Sequence, residues 1–287
     1  MTTDVRVVHH ESELGDWVIA VRAARAALGS VSPLVGWSER RTGFPARREP
    51  PTAWVQLIVG VGDPTDAWLD GSPRQTARRL RAFLAPLNPR PILVATSGRH
   101  SEGVQVGLNP VLARAALGVD FCDLRGRSIE LSDLLGSGAD LLLDQVAAAP
   151  SWDRRFSLVE RFLVDRADRA APSRAASHGW RRLVGSRGRL RVADLADEMG
   201  MSRQRLALLF REHVGVSPKT LAAITRMQHA IALLSRDPLR PLADIAMACG
   251  YSDQQHLSRD LTRLAGRPPA SLRADLLPGD GGIAVRC

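Results

Sequence analysis

The sequence predicts an α+β chain. An N-terminal antiparallel β-barrel or sandwich with following helices comes first, and then an all-α domain of two helix-turn-helix units. Three observations predict it. Residues 1–110 hold short β-branched runs broken by Gly and Pro, residues 111–169 switch to apolar residues at helical spacing, and residues 241–272 repeat a pattern already present from residue 193.

In order along the N-terminal half, residues 5–8 are short and apolar. Residues 54–59 (WVQLIV) are rich in β-formers and end at Gly60 and Gly62-Asp63-Pro64. Residues 91–95 end at Ser97-Gly98, and residues 104–106 alternate and end at Asn109-Pro110. Residues 17–28 admit two readings: Leu14, Trp17, Val18 and Val21 fit a helix, while Trp17-Val18-Ile19 fits a strand. Residues 43–51 (GFPARREPP) are loop or sheet edge, because proline has no N–H to give a ladder. Trp17, Trp37, Trp54 and Trp68 read as core packing in preference to cavity lining.

The helical part begins at residues 111–117, which end at Gly118, and continues through residues 131–135 and 140–149. Ser151 caps a helix on which Phe156, Val159, Phe162 and Leu163 form a stripe. The stripe packs on the barrel within the chain, or it pairs with its equivalent in a second subunit; the spacing leaves both open. Domains follow as 1–169 for sensing or dimerisation, 170–177 (AAPSRAAS) as linker, 178–277 as the helical domain and 278–287 as a frayed tail.

Within residues 241–272, Leu242, Ile245 and Ala246 make one apolar stripe, Gly250 suits a left-handed helix end, and Ser252 opens a second helix. Gln255, three residues after Ser252, completes a capping-box spacing. Leu257, Leu261 and Leu264 form that helix's core face, Gly266 ends it, and Pro268-Pro269 forbid its continuation. Gln254, Gln255, His256, Ser258 and Arg259 are turned away from this core and suit base edges and phosphates. Residues 193–196 (ADLA) precede Gly200 as residues 243–246 (ADIA) precede Gly250, 50 positions later. Phe210, Gly215 and Pro218 match Leu261, Gly266 and Pro269 at 51, so the second turn or helix start holds one extra residue. Leu221, Ile224, Met227, Ile231 and Leu234 make residues 218–235 an apolar-striped connecting helix.

Two such copies, and above all the run ACGYSDQQHLSRDLTRLAGRPPASLR, resemble the DNA-binding domain of AraC/XylS-type transcription regulators over roughly residues 178–275. The resemblance implies that the five polar residues of the second recognition helix contact DNA. It maps the groove-facing positions of the first onto Arg203, Gln204, Ala207 and Leu208, with Arg211 a phosphate or solvent partner. Ala207 and Leu208 depart from the polar readers expected there, although they can touch a thymine methyl. The runs AWVQLIVGVGDP, GVQVGLNPVLARAALGV and RFSLVERFL are similar to a sensor-type domain of the same family, which implies a cupin-like barrel that senses a ligand or dimerises.

Charge agrees with this. The 287 residues carry a net charge of +9, and residues 173–275 hold 17 Lys and Arg against 9 Asp and Glu, leaving about +1 elsewhere. The expected partners are promoter DNA, a small-molecule effector, RNA polymerase if the protein activates, and a second copy of the chain, with no membrane and a cytoplasmic location. Cys122, Cys249 and Cys287 are too scattered for a disulfide framework or zinc site. His9, His10 and His100 lack a converging ligand set, so no metal and no cofactor are expected. No Walker or GxGxxG spacing and no catalytic triad stands out, and no enzyme activity is expected. The alternatives are an N-terminal domain that binds a protein partner, or an alkyl-transfer repair enzyme fused to a DNA-binding domain. The second would need Cys122 as an activated thiolate, yet Asp120 and Asp123 beside it raise its pKa.

Overall fold

The computed structural model describes residues 5–12, 15–24, 32–40, 46–96, 98–124, 126–276 and 283–285. Its N-terminal part contains β1 (Arg6–Ser12), β2 (Gly15–Arg22), β3 (Leu34–Arg40), β4 (Arg47–Glu49), β5 (Val55–Gly60), β6 (Thr65–Leu69), β7 (Arg78–Leu80), β8 (Ala82–Ala85), β9 (Ile92–Thr96) and β10 (His100–Leu108). Helices α1 (Pro110–Leu117) and α2 (Phe121–Leu124), strand β11 (Ile129–Glu130), and helices α3 (Leu131–Leu135), α4 (Ser137–Ala148) and α5 (Trp152–Ala167) follow. The C-terminal part is α6 (Arg174–Gly185), α7 (Val192–Glu198), α8 (Arg203–Val214), α9 (Pro218–Arg236), α10 (Leu242–Cys249), α11 (Gln254–Ala265), α12 (Pro269–Asp275) and β12 (Ile283–Ala284).

Two antiparallel sheets face each other. One runs β1-β2-β3-β10-β5-β8-β11, the other β12-β4-β9-β6-β7. The period of two along each strand sorts the side chains. On β5, Val55, Leu57 and Val59 are fully buried and join the core shared with α1, α4 and α5. Gln56 and Ile58 point the other way. They pair in register with Gly107 and Gln105 of β10 and line a cavity between the sheets, where Gln105 Nε2 donates to Gln56 Oε1 at 2.8 Å. The cavity holds about 880 Å³ of unfilled space, part of it open to solvent. Trp37 and Trp54 line it, so these two tryptophans are not simply core.

The double reading of residues 17–28 resolves to strand over Gly15–Arg22. Val18 lies between His9 of β1 and Ser38 of β3, and β-branched side chains suit a strand paired on both sides. Residues 25–28, like Leu14 and residues 43–45, lie outside the described residues. β4 falls within the stretch expected as loop or edge and stands one strand in from the edge, because β12 pairs outside it. That pairing corrects the frayed tail: Ile283 is 0% exposed and pairs with Arg48. The expected linker over 170–177 is extended only to Ser173, whose hydroxyl accepts from the Ala176 amide and caps α6.

The Phe156 stripe packs within the chain. Phe156, Val159 and Leu163 are buried, and Arg22 of β2 reaches over the Phe156 ring to Glu160 at 2.5 Å and Asp153 at 2.6 Å. The core then continues without a break into the first helices of the C-terminal part, through Trp180, Leu183, Leu195, Leu206 and Phe210. The last helices have an apolar cluster of their own, built on Met227, Ile245, Leu257 and Leu261 and including Ile283.

Two glycines of α6 separate helix propensity from packing. A Cβ at Gly185 meets nothing within 4 Å, whereas one at Gly179 would lie 2.9 Å from Cε2 of the buried Phe210 ring. Gly185→Ala is expected to stabilise by about 0.5–1 kcal/mol through helix propensity. Gly179→Ala is expected to destabilise by about 1–2 kcal/mol, because overpacking outweighs the same gain. Urea unfolding of both variants checks the opposite signs.

Candidate nucleic-acid interface

Each recognition helix is set by a glycine and a cap. In the first unit, α7 ends at Gly200 (φ 63°), the Ser202 hydroxyl accepts from the Arg205 amide, and Gly215 (φ 86°) closes α8. Leu206, Phe210 and Val214 are buried at helical spacing beneath it. In the second, α10 ends at Gly250 (φ 75°) and Gly266 (φ 71°) closes α11 over Leu257, Leu261 and Leu264. α9 joins the units, capped by Ser217 and started by Pro218.

The second cap differs from expectation. Asp253, not Ser252, caps α11: its Oδ1 accepts from the His256 amide at 2.7 Å while Ser252 Oγ donates to Oδ2 at 3.0 Å. The His256 amide, first of all, and then the Ser252 hydroxyl lower the Asp253 pKa. A carboxylate at a helix N-terminus also gains from the helix dipole, which a hydroxyl cannot match. The Ser252–Gln255 capping box therefore does not form. The glycines before the two helices are 50 residues apart and the caps 51, so the extra residue sits in the turn.

Around the two units the polar groups are tied inward. Asp260 is buried and receives Arg263 at 2.7 Å, with Arg226 of α9 at 3.9 Å. Arg226 also donates to the Gly188 carbonyl at 3.0 Å and lies over the Tyr251 ring, so it is a structural tie and not a free cation. Glu198 of α7 binds Arg182 and His178 of α6, and those hydrogen bonds hold its pKa at about 2. Cys249 is buried, and desolvation pushes its thiol up to about 11.

Residues 195–275 match a family described as a helix-turn-helix domain. The HTH-type transcriptional regulator GlxA of Rhizobium meliloti is 27% identical over 76% of this chain and 74% of its own length. The arabinose operon regulatory protein of Escherichia coli is 30% identical over 33% of this chain and 32% of that protein. Among solved structures, ToxT of Vibrio cholerae covers 84% of this chain and 98% of its own with a TM-score of 0.51 at 13% identity, a likeness of fold. A ToxT structure described as bound to unsaturated fatty acid covers 90% of this chain, also at 0.51. These matches support an AraC-type helix-turn-helix domain over residues 195–275.

In this AraC-type frame the ten expected site residues divide. On α11, Gln254, Gln255 and Arg259 are exposed. His256 is half-buried, with Nδ1 3.2 Å from Ser252 Oγ and its ring edge-on to Tyr251, and Ser258 donates to the Gln254 carbonyl at 2.9 Å. On α8, Arg203, Gln204 and Arg211 are exposed, Ala207 is half-buried, and Leu208 is 58% exposed in the middle of the helix. Among the described residues no group of three His, Cys, Asp or Glu comes close enough to hold a metal. None of the helices described is long and apolar enough to cross a membrane. Cys122 is exposed, and its pKa is raised by desolvation and then by Asp120, the opposite of what a nucleophilic thiol requires.

Sequence reasoning passed over one cluster. Arg187, left-handed at φ 54° between α6 and α7, donates to His229 Nε2 of α9 at 3.0 Å, and His229 Nδ1 faces Cys249 Sγ of α10 at 3.5 Å. Only the pairing of separate stretches reveals it. Because Nε2 accepts, the imidazole is neutral. Its pKa is lowered by desolvation and then by Arg187, Arg189, Arg236 and Arg240. A histidine kept neutral in the fold contributes stability above its unfolded pKa of about 6.5, and that stability is lost as pH falls through the lower folded value. The melting temperature is therefore expected to drop from pH 7 toward pH 5.5, with a shallower drop in His229→Gln. Equal slopes in both proteins would remove His229 from the account.

Proposed function

We propose that the protein is a one-component regulator acting on promoter DNA in the cytoplasm. Residues 178–277 hold the duplex, and residues 1–169 take a small-molecule effector into the cavity between the sheets. One observation carries the DNA reading: two capped recognition helices with solvent-exposed outer faces, α8 and α11, are joined by the single helix α9. Successive major grooves present themselves about 34 Å apart along one face of a duplex, which suits two such probes on one chain. Gln254 and Gln255 are the candidates for adenine edges, Arg259 for a guanine or phosphate, and Arg203, Gln204 and Arg211 for the first unit's edges and phosphates. His256 and Ser258, held within their own turn, are the weaker candidates. Ala207 and Leu208 supply methyl contact without hydrogen bonding.

The effector reading rests on the cavity, whose aromatic walls (Trp37, Trp54, Phe83) alternate with hydrogen-bonding groups such as Gln56, Asn88 and Gln105. That mixture suits a compact molecule with an apolar body and several polar groups. The ToxT neighbour described with an unsaturated fatty acid shares this fold and so supports a small-molecule effector, although neither its ligand nor that ligand's place transfers.

Mobility shifts on the protein's own upstream region test the DNA half. Gln254→Ala and Arg259→Ala are each expected to weaken specific binding about five- to a hundredfold, from about 1–3 kcal/mol per bidentate contact. Replacing thymine by uracil in the half-site under α8 is expected to weaken the wild type and leave Leu208→Ala unaffected. Full sequence-specific binding by both α11 variants counts against the assignment. A thermal-shift screen of metabolites tests the other half: compounds that stabilise the wild type are expected to lose their effect in Ile58→Trp, which fills the cavity.

A further inference from the structure

We propose that the groove between β6, the turn after it and residues 126–128 is a second small-molecule site, one that takes an organic acid: a carboxylate or phosphate head on an apolar body. It goes beyond the effector reading. The groove adjoins the cavity across Ala67, Ile92 and Ser128, which line both, but Trp37, Trp54 and Phe83 do not border it. It holds about 930 Å³ of unfilled space, part of it open to solvent, which is room enough for such a molecule.

The strand register shows why a cation here is unusual. β7 pairs with β6, and Arg78 lies opposite Ala67, so the two share a face. Leu80, two residues on, shares that face and is 1% exposed. The period of two calls for an apolar side chain at Arg78, and the sequence supplies an arginine. Its guanidinium turns to the loop before β11, where Nη1 donates to the Ser128 carbonyl at 3.0 Å. Arg127, the preceding residue of that loop, lines the same groove, is exposed, and has no side-chain partner among the described residues. β7 is an edge strand, and an inward charge there also discourages pairing with another sheet. That role needs Arg78 alone. It does not account for a second arginine on a separate loop.

The other walls suit the two halves of an acid. Trp68, Leu69 and Ile92 supply apolar surface, and Arg74 lies over the Trp68 ring at 5.6 Å. Ser72 and Ser128 bring hydroxyls. The nearby carboxylates do not satisfy these cations. Asp133 lies 3.6 Å from Arg78 with both side chains about half exposed, a pairing that contributes little. Glu130 accepts instead from the Arg81 amide at 2.7 Å. Guanidinium forks bind a carboxylate or a phosphate through paired N–H donors, and two such forks line this groove beside a surface for the apolar body.

The test is calorimetric titration of the full chain with phenylacetate, phenyl phosphate, neutral phenylacetamide and inorganic phosphate. At least one of the two organic acids is expected to bind, more weakly as salt rises, and the tighter of them names the head. Arg127→Gln is expected to weaken binding about five- to thirtyfold, through loss of one charge-assisted contact, and Arg78→Gln at least as much. Ile58→Trp, which fills the cavity, is expected to leave the affinity unchanged. Four results each overturn the proposal: no binding of either acid at low millimolar concentration, equal binding of the amide or of inorganic phosphate, full affinity in Arg127→Gln, and loss of binding in Ile58→Trp. Should Arg78→Gln fail to fold through loss of the Ser128 tie, Arg127→Gln decides alone. None of these titrations involves DNA, so this site and the regulator reading stand or fall separately.

Discussion

A buried indole N–H must find an acceptor, and Trp180 finds one outside its own helical domain, at the Ala53 carbonyl. Much of the architecture follows from that bond. Trp180 is 1% exposed on α6, and its neighbour Gly179 lets the Phe210 ring of α8 close against the helix backbone. One joint thereby fixes the first recognition helix to α6 and α6 to the β-sandwich. Removing the acceptor would strand a polar group in the largest apolar cluster of the chain, at a cost of about 1–3 kcal/mol before any packing is lost. The two parts of the chain are therefore not independent bodies on a string. The coil from residue 170 to Ser173 connects them covalently, while Trp180, Gln228 and Ile283 connect them physically.

What could be read from the sequence was what local chemistry decides. Gly118, Gly215, Gly250 and Gly266 end helices because each adopts a left-handed φ, and Ser151 starts one with a side-chain acceptor, whereas the Ser173 cap lay unread inside the expected linker. Even the cap of α11 failed by only one residue, since Ser252 and Asp253 are both good capping types and only the fold selects between them. The sheets were legible where β-formers crowd, as in β5, and illegible elsewhere. In β8 all four residues, Ala82–Ala85, are buried, so no alternation marks it as a strand. β12 is two residues long and exists because Arg48 and Arg47, far away in sequence, offer it a partner. Its companion β4 was hidden by flanking prolines for the same reason. At the interface, residue type predicted exposure for Gln254, Gln255 and Arg259. It overstated the freedom of His256 and Ser258, because short polar side chains near a helix start find partners within their own turn.

The charge count likewise says less about the DNA face than it first suggests. Of the basic residues in the C-terminal part, Arg182 is held by Glu198, Arg191 by Asp194, Arg263 and Arg226 by Asp260, and Arg187 by His229. Glu198 fastens α6 to α7 and Asp260 fastens α9 to α11, and the guanidinium groups on these carboxylates are partly neutralised before any duplex arrives, whereas the neutral His229 only holds Arg187 in place. The exposed cations of the recognition helices outside these pairs are fewer: Arg203, Arg205 and Arg211 on α8, and Arg259 on α11. Nonspecific attraction to phosphate is thus modest, and discrimination rests more heavily on the side chains that meet base edges.

The duplicated units have also diverged in how they are supported. The first shares one continuous core with the sandwich, from Leu57 through Phe156 to Phe210, so its position is set by extensive apolar burial. The second has its own smaller core and reaches the sandwich through the two residues of β12 and the close approach of Gly266 to Arg48. Few buried apolar side chains take part in the second attachment, and many in the first. The two helices also differ in chemistry, with an exposed leucine at the centre of α8 where α11 presents glutamines and an arginine. A firmly held probe with apolar reach and a loosely held probe with hydrogen-bonding reach is an unequal pair.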